Sequence, residues 1–314
     1  MSQKAAYAEF CATAPDLPVF MEPWYLDALC EAYGTWEVIV LRRGERIVAA
    51  WPYFVKRKFG IRYSVPPPFC KYVGPYFLPP YRADQRVVAE LTELFPTFGA
   101  VEVSTHPELH DWTPFYQNNW TQTTRYTYRI RQEDWPDWEK NLPKKVRKRL
   151  QQVRESVFVE TVENYGQLYE LFSESFDRKN IPVPLSHDHL RSVDTALQSH
   201  HRRKIFLARD AAGTVHGMSY VCWDKRCTYV LFSGNPQIGR QSHANYILIE
   251  RTLKFAFEEN YSDYYDFLGS MLSGVVERNR KMGGRRTSYH LLTRTDSRPV
   301  RWYQFLKNEL KIRP

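Results

Sequence analysis

The sequence has no apolar run long enough to cross a bilayer, which excludes a helical membrane span. Its first twenty residues carry Lys4, Glu9 and Asp16 and lack a signal-peptide core, so a cytoplasmic protein is expected. Cysteine is scarce and odd in number: Cys11, Cys30, Cys70, Cys222 and Cys227 match no zinc spacing. Cys222 and Cys227 could face each other across a hairpin, but free thiols in a reducing compartment are the simpler reading. His187, His189, His200 and His201 fall at predicted helix ends with no acid spaced to complete a metal site. No Ser-His-Asp or Cys-His arrangement is legible. Acid is also missing up to Arg154 from one stretch, "LPKKVRKRLQQVRES". Seven basic residues occupy the chain from Lys140 to Arg154 without a single Asp or Glu.

What is present describes a soluble globular chain of 314 residues, 43% hydrophobic and 25% charged, long enough for two domains. Its net charge of +9 is concentrated in that stretch and in the tail beyond Gly269. Such fields favour polyanionic partners such as phosphates, coenzyme A, tRNA or anionic headgroups. Read as a helix, residues 140–156 put Val146, Leu150 and Val153 on a narrow apolar stripe, with Lys144, Lys145, Lys148 and Arg149 around it. No DNA-binding motif and no aromatic platform for bases accompanies them, so DNA is not an expected partner. A tRNA-borne donor, a phosphorylated acceptor or peripheral contact with a membrane-attached precursor would suit this surface.

The order of predicted elements repeats. "VIVLRRGERIVAA" parallels "IFLARDAAGTVHGMS", and "YVGP" parallels "FSGNP". "AVEVSTHP" parallels "YYDFLGS", and "NNWTQTTRYTY" parallels "MGGRRTSYHLL". The offset stays near about 160 residues throughout, which argues for internal duplication. Two α+β domains follow, 1–135 and 136–314, the second opening with the basic inter-domain helix. Each is a mostly antiparallel mixed sheet flanked by helices.

That layout resembles the GNAT (acyl-CoA N-acyltransferase) fold, and its duplication resembles FemAB-like proteins. "VFMEPWYLDAL" is similar to the family's opening helix, and "WPYFVKRK…YVGPYF" to its first hairpin and loop. "LPKKVRKRLQQVRES" is similar to its basic inter-domain helix, and "YYDFLGSMLSGVVERNRKMGG" to its Asp-Phe-x-Gly-Ser strand and following helix. The resemblance implies an acyl or aminoacyl transfer to an amine by direct attack, without a covalent enzyme intermediate. It also implies acyl-CoA or aminoacyl-tRNA as donor and a small molecule or cell-wall precursor as acceptor, with no metal and no firmly implied bound cofactor. A tRNA-dependent peptidoglycan-precursor aminoacyltransferase is one alternative, and a catalytically silent module for an anionic ligand is another. Two departures stand out. The loop "NPQIGRQSHANYILIE" offers Gly239 but then His243 and Asn245, where a phosphate cradle would want small residues. Asn279 stands where the cross-bridge transferases carry a lysine.

In the GNAT fold two parallel strands splay to hold the acyl donor, and here they should be "CTYVLFSGNP" and "DYYDFLGS". On strict alternation Tyr229, Leu231 and Ser233 share a face, as do Asp266, Leu268 and Ser270. Asp266 is then a candidate to take a proton from the amine, and Tyr229 to donate one to the leaving group. A structural ion pair for Asp266 and core packing for Tyr229 are the competing readings. Ser233 and Asn235 would line the donor site. Arg178, Lys179 and Arg280 would meet phosphate, although solvated basic helix ends explain them nearly as well. His243 would sit at a helix N-terminus beside the cleft, with Ser270 and Asn279 on its far side.

Overall fold

The computed structural model describes residues 2–177, 183, 186–269 and 271–302. Two compact units emerge: Met1–Arg125 with Ser288–Pro314, and Tyr126–Thr287. The first begins with α1 (Gln3–Thr13). Ser2 caps it by accepting from the Ala5 amide at 3.2 Å, and Tyr7 and Phe10 turn inward. α2 (Pro23–Cys30) follows with proline at its first position, where no amide is needed. β1 (Thr35–Arg43) and β2 (Arg46–Lys58) form the expected hairpin, with Gly44 at φ +60° in its turn. β3 (Ile61–Ser64), β4 (Tyr76–Phe77), α3 (Gln85–Glu93), β5 (Ala100–Ser104) and α4 (Thr113–Gln117) complete this part of the chain.

β6 (Thr121–Arg131) leads into the second unit. There follow α5 (Trp138–Asn141), α6 (Lys144–Arg154), β7 (Phe158–Val162), α7 (Gly166–Asp177) and α8 (His187–Ser199). β8 (Arg203–Arg209), β9 (Val215–Trp223) and β10 (Cys227–Gly234) form a meander. α9 (Gln237–Gln241), α10 (Ala244–Lys254) with a π turn over Phe255–Glu259, β11 (Tyr264–Asp266) and α11 (Ser273–Lys281) finish it. β12 (Arg285–Arg294) then returns to the first unit and pairs antiparallel with β5, Leu291 opposite Ser104.

Within the first unit the strand order is β1-β2-β3-β5-β12, with β4 added to β2; within the second it is β6-β11-β10-β9-β8-β7. Each order contains one parallel pair, β3/β5 and β10/β11, among antiparallel neighbours. The α+β class and the repeated order are therefore as expected. Each unit also has its own core. Trp51, Phe95, Phe115 and Trp120 interlock in the first. Leu150, Leu253, Tyr265 and Met282 meet in the second. The stripe of α6 is buried as its spacing requires, Val146, Leu150 and Val153 joining that core. At about 1.5–3 kcal/mol per fully buried Val or Leu, this stripe anchors a helix otherwise covered in like charge. No helix among the described residues is long and apolar enough to cross a membrane.

Candidate functional site

The parallel ladder between β10 and β11 holds for three residue pairs only, Cys227–Tyr264, Thr228–Tyr265 and Tyr229–Asp266. Beyond Tyr229, β10 continues along β9 to Gly234, while the chain after Asp266 stays with β6, the Phe267 amide donating to the Tyr128 carbonyl at 3.0 Å. The two strands thus part where the resemblance required. β10 is also bulged: Val230 opposes Val221 and Phe232 opposes Tyr220, leaving Leu231 as the extra residue. The bulge cancels strict alternation, so Val230 and Ser233 come to line one small cavity of about 20 Å³ at the fork. Asn235, Asn245, Tyr265 and Arg278 line it too.

The polar chemistry of this cavity is unbalanced. Arg278 is half-buried on α11, and among the described residues no carboxylate pairs with it. Its Nε and one terminal nitrogen donate to Asn279 Oδ1 at 3.0 and 2.9 Å, which leaves the remaining N–H groups unspent. Burial pulls its pKa below the usual arginine value, while the neighbouring Tyr265 opposes that shift. Asn235 Oδ1 is buried and has no hydrogen-bond partner among the described residues. The cavity lining therefore combines strong donors with an acceptor that is unused among the described residues.

Ser233 and Asn235 do line the fork. Asn279 is fully buried and acts behind the surface, holding the Arg278 guanidinium. Arg280, the expected anion contact, is exposed and is not part of the cavity lining; sequence reasoning missed Arg278 because it fixed no helix phase for α11. Arg178, Lys179 and Ser270 lie outside the described residues.

Asp266 and Tyr229 require correction, because both are placed in the interior. Asp266 has no exposed surface; Oδ1 accepts from the Thr127 hydroxyl and from the Leu268 amide at 2.8 Å, and Oδ2 accepts from Arg129 Nε at 2.7 Å. A carboxylate so occupied holds β11 to β6 and has no oxygen left to meet an amine. Tyr229 is 1% exposed and donates to Asp224 Oδ2 at 2.7 Å; burial, followed by the Asp224 charge, drives its phenol well above the usual range. Its proton is committed to a turn acid.

His243 does stand at the N-terminus of α10, in the left-handed region at φ +60°, stacked on Tyr246 with ring centroids 5.6 Å apart. Partial burial lowers its pKa, and the charges of Arg149 and Lys145 lower it further, so the basic face of α6 reaches this helix end. Lys144, Lys145, Arg147, Lys148 and Arg149 form no ion pair among the described residues, whereas Arg154 on the same helix is held by Glu139 and Glu250. The first amides of α10 have no intrahelical acceptors and add positive potential there. Gly239 has a different duty from the one its loop suggested. A Cβ at this position would lie 1.6 Å from the His216 carbonyl oxygen, so the glycine lets α9 press on β9.

A sheet opened at one parallel pair, with a helix N-terminus next in the chain, defines the class. Residues 140–274 match the model of the acetyltransferase (GNAT) domain. Over the whole chain the fold is a duplicated, FemAB-like GNAT architecture. It is similar to FemX over 92% of this chain and 96% of that one, at 10% identity and a TM-score of 0.71. It is also similar to a tandem GNAT protein of the clavulanic acid biosynthesis pathway, with 91% of each chain covered, 11% identity and a TM-score of 0.55. The C-terminal domain of a lysylphosphatidylglycerol synthetase assigned to Agrobacterium fabrum gives 90% coverage of each chain, 10% identity and a TM-score of 0.55. No curated protein matches by sequence. At such identities the structural likeness speaks for the fold. The domain match supports acyl transfer as the general chemistry.

Proposed function

We propose that the second unit is an N-acyltransferase whose acyl carbonyl is received at the β10/β11 fork. The observation that carries this is the end of the parallel ladder at Tyr229 and Asp266, with Arg278 and Asn235 Oδ1 left unspent in the cavity just beyond. The guanidinium supplies N–H donors to the carbonyl oxygen as negative charge develops on it, where a preorganised donor is worth most. The Asn235 acceptor orients an N–H of the incoming amine, so that its lone pair faces the carbonyl carbon. The amine enters uncharged, because among the described residues no carboxylate lines the cavity to remove a proton from an ammonium. Asp266 acts only through the strand it holds.

The donor's anionic portion would rest where the first turn of α10 meets Lys145 and Arg149. Acyl-CoA is the donor this favours first. The five cations of α6 that form no ion pair among the described residues favour a second reading, in which the donor is an aminoacyl-tRNA and the helix tracks its backbone. Thermal-shift titration with acetyl-CoA, a longer acyl-CoA and a charged tRNA separates the two. Stabilisation by an acyl-CoA that is lost in Arg278→Ala and accompanied by turnover on an amine panel supports the first. Stabilisation by charged tRNA alone supports the second. Binding of either without turnover would leave a silent module and end the enzyme reading.

A further inference from the structure

The fold assembles a serine, a histidine and an aspartate that lie far apart in the sequence. Ser242 Oγ lies 2.8 Å from His216 Nδ1, and His216 Nε2 lies 3.1 Å from Asp210 Oδ2; the separations along the chain are 26 and 6 residues. Asp210 is fixed by its other oxygen, which accepts from the amides of Ala212 and Thr214 at 3.0 and 2.9 Å in the β8–β9 turn. His216 is 6% exposed, so its ring is held in place by its surroundings, while Ser242 is only half-buried. The contact depends on Gly239, whose missing side chain brings α9 down onto the His216 backbone. The hydroxyl follows α9 and precedes the first residue of α10 by two, so it adjoins that helix's N-terminus in the chain.

Each part has a chemical reading. An imidazole with Nε2–H donated to a carboxylate presents a bare Nδ1, which at 2.8 Å accepts the serine proton in preference to the Gly239 carbonyl, the hydroxyl's other acceptor at 3.3 Å. The α10 amides are donors for an oxyanion formed next to the serine. Lys145 and Arg149, close enough to depress His243, favour a leaving group that carries negative charge.

We propose that Ser242, His216 and Asp210 form a nucleophilic triad that accepts the acyl group of an activated ester or thioester and hydrolyses it, separately from amine transfer at the fork. Ser242 Oγ attacks the acyl carbon as its proton passes to His216 Nδ1, and the carbonyl π pair moves to oxygen. Collapse breaks the bond to the leaving alkoxide or thiolate, which takes that proton. Water then attacks the acyl-serine with His216 again as base, releasing a carboxylic acid and restoring the hydroxyl. Asp210 holds the ring and balances the imidazolium; it is a positioning residue.

The test treats the full chain with p-nitrophenyl acetate and with a fluorophosphonate probe, then maps adducts by peptide mass spectrometry. The expected result is a rapid release of p-nitrophenolate and one acetyl or phosphonyl group on the peptide containing Ser242. Ser242→Ala should abolish both, and His216→Gln should slow the release by about 10²-fold or more. If His216→Gln fails to fold, the wild-type mapping still decides. Adducts on another residue, no adduct, or unchanged release in Ser242→Ala would overturn the proposal. Unaltered acylation of amines in Ser242→Ala would leave the fork reading standing, because Ser242, His216 and Asp210 line no part of the fork cavity and the two sites have only Lys145, Arg149 and the first turn of α10 in common.

Discussion

Arg278 and Arg280 are separated by about 200° around α11, and that angle divides a cavity guanidinium from a solvated one. Arg278→Ala is expected to lower kcat/KM for amine acylation by about 10²-fold, as loss of a single oxyanion donor does elsewhere. Arg280→Ala should stay within about twofold, as an exposed substitution. Steady-state kinetics of the pair checks both. Asp266 makes a stability claim instead: removing it in Asp266→Ala strands the Arg129 charge in the interior, for an expected loss of about 3–5 kcal/mol in denaturant unfolding. His243 makes a pH claim. Its folded pKa lies below the ordinary 6.5, so the unfolded chain binds this proton more readily. The stability it contributes is present above about 6.5 and is lost as pH falls below that value. Its NMR titration should fall below that of a free histidine and rise when a phosphate-bearing donor binds. An unmoved midpoint would separate the α10 terminus from the donor. At this scale the sequence spoke in part. The positions of Ser233 at the end of β10, Asn235 just beyond it and His243 before a helix were legible in the sequence. Tyr229 and Asp266 were misassigned, since residue type does not reveal that Asp224 and Arg129 already hold them.

Among the elements, α6 was the most legible. A four-residue recurrence of Val146 and Leu150, with Val153 after them, fixed the buried side, and the acid-free remainder fixed the exposed one. The β1–β2 and β8–β9 hairpins turn at Gly44 and Gly213, residues visible in the sequence that both adopt positive φ. β10 was not legible. Its apolar residues continue through Leu231 without a mark, yet one extra residue there reverses which side chains reach the fork. The register of β10 against β9 is a tertiary property, and a strand's own composition does not encode it. The Asp210–His216–Ser242 cluster escaped for the same reason. It joins a turn, a strand and a helix end, and only the packing allowed by Gly239 brings them together.

At the scale of the molecule, duplication was legible because the order of elements repeats even where residues do not. The structure adds an exchange of closing strands. The end of β6 pairs with β11 in the second unit, while β12 pairs with β5 in the first. The sequence-based boundary near residue 135 followed the repeat, whereas compact packing divides the chain at 125/126 and again at 287/288. The second unit is therefore continuous in the chain and the first is not. A fragment of residues 126–287 is expected to unfold cooperatively by circular dichroism. A fragment of residues 1–125 lacks the strand that covers β5 and should unfold without a sharp transition. The reverse result would mean that compactness here does not follow chain continuity.

The central claim is that an activated carbonyl sits at the β10/β11 fork. Crystallography of the chain with a non-transferable acyl-CoA analogue tests it most directly. The account predicts the analogue's carbonyl oxygen within hydrogen-bond distance of Arg278, its acyl carbon beside residues 230–235, and its phosphates at the first turn of α10. An analogue bound elsewhere, with the fork filled by side chains, would contradict it.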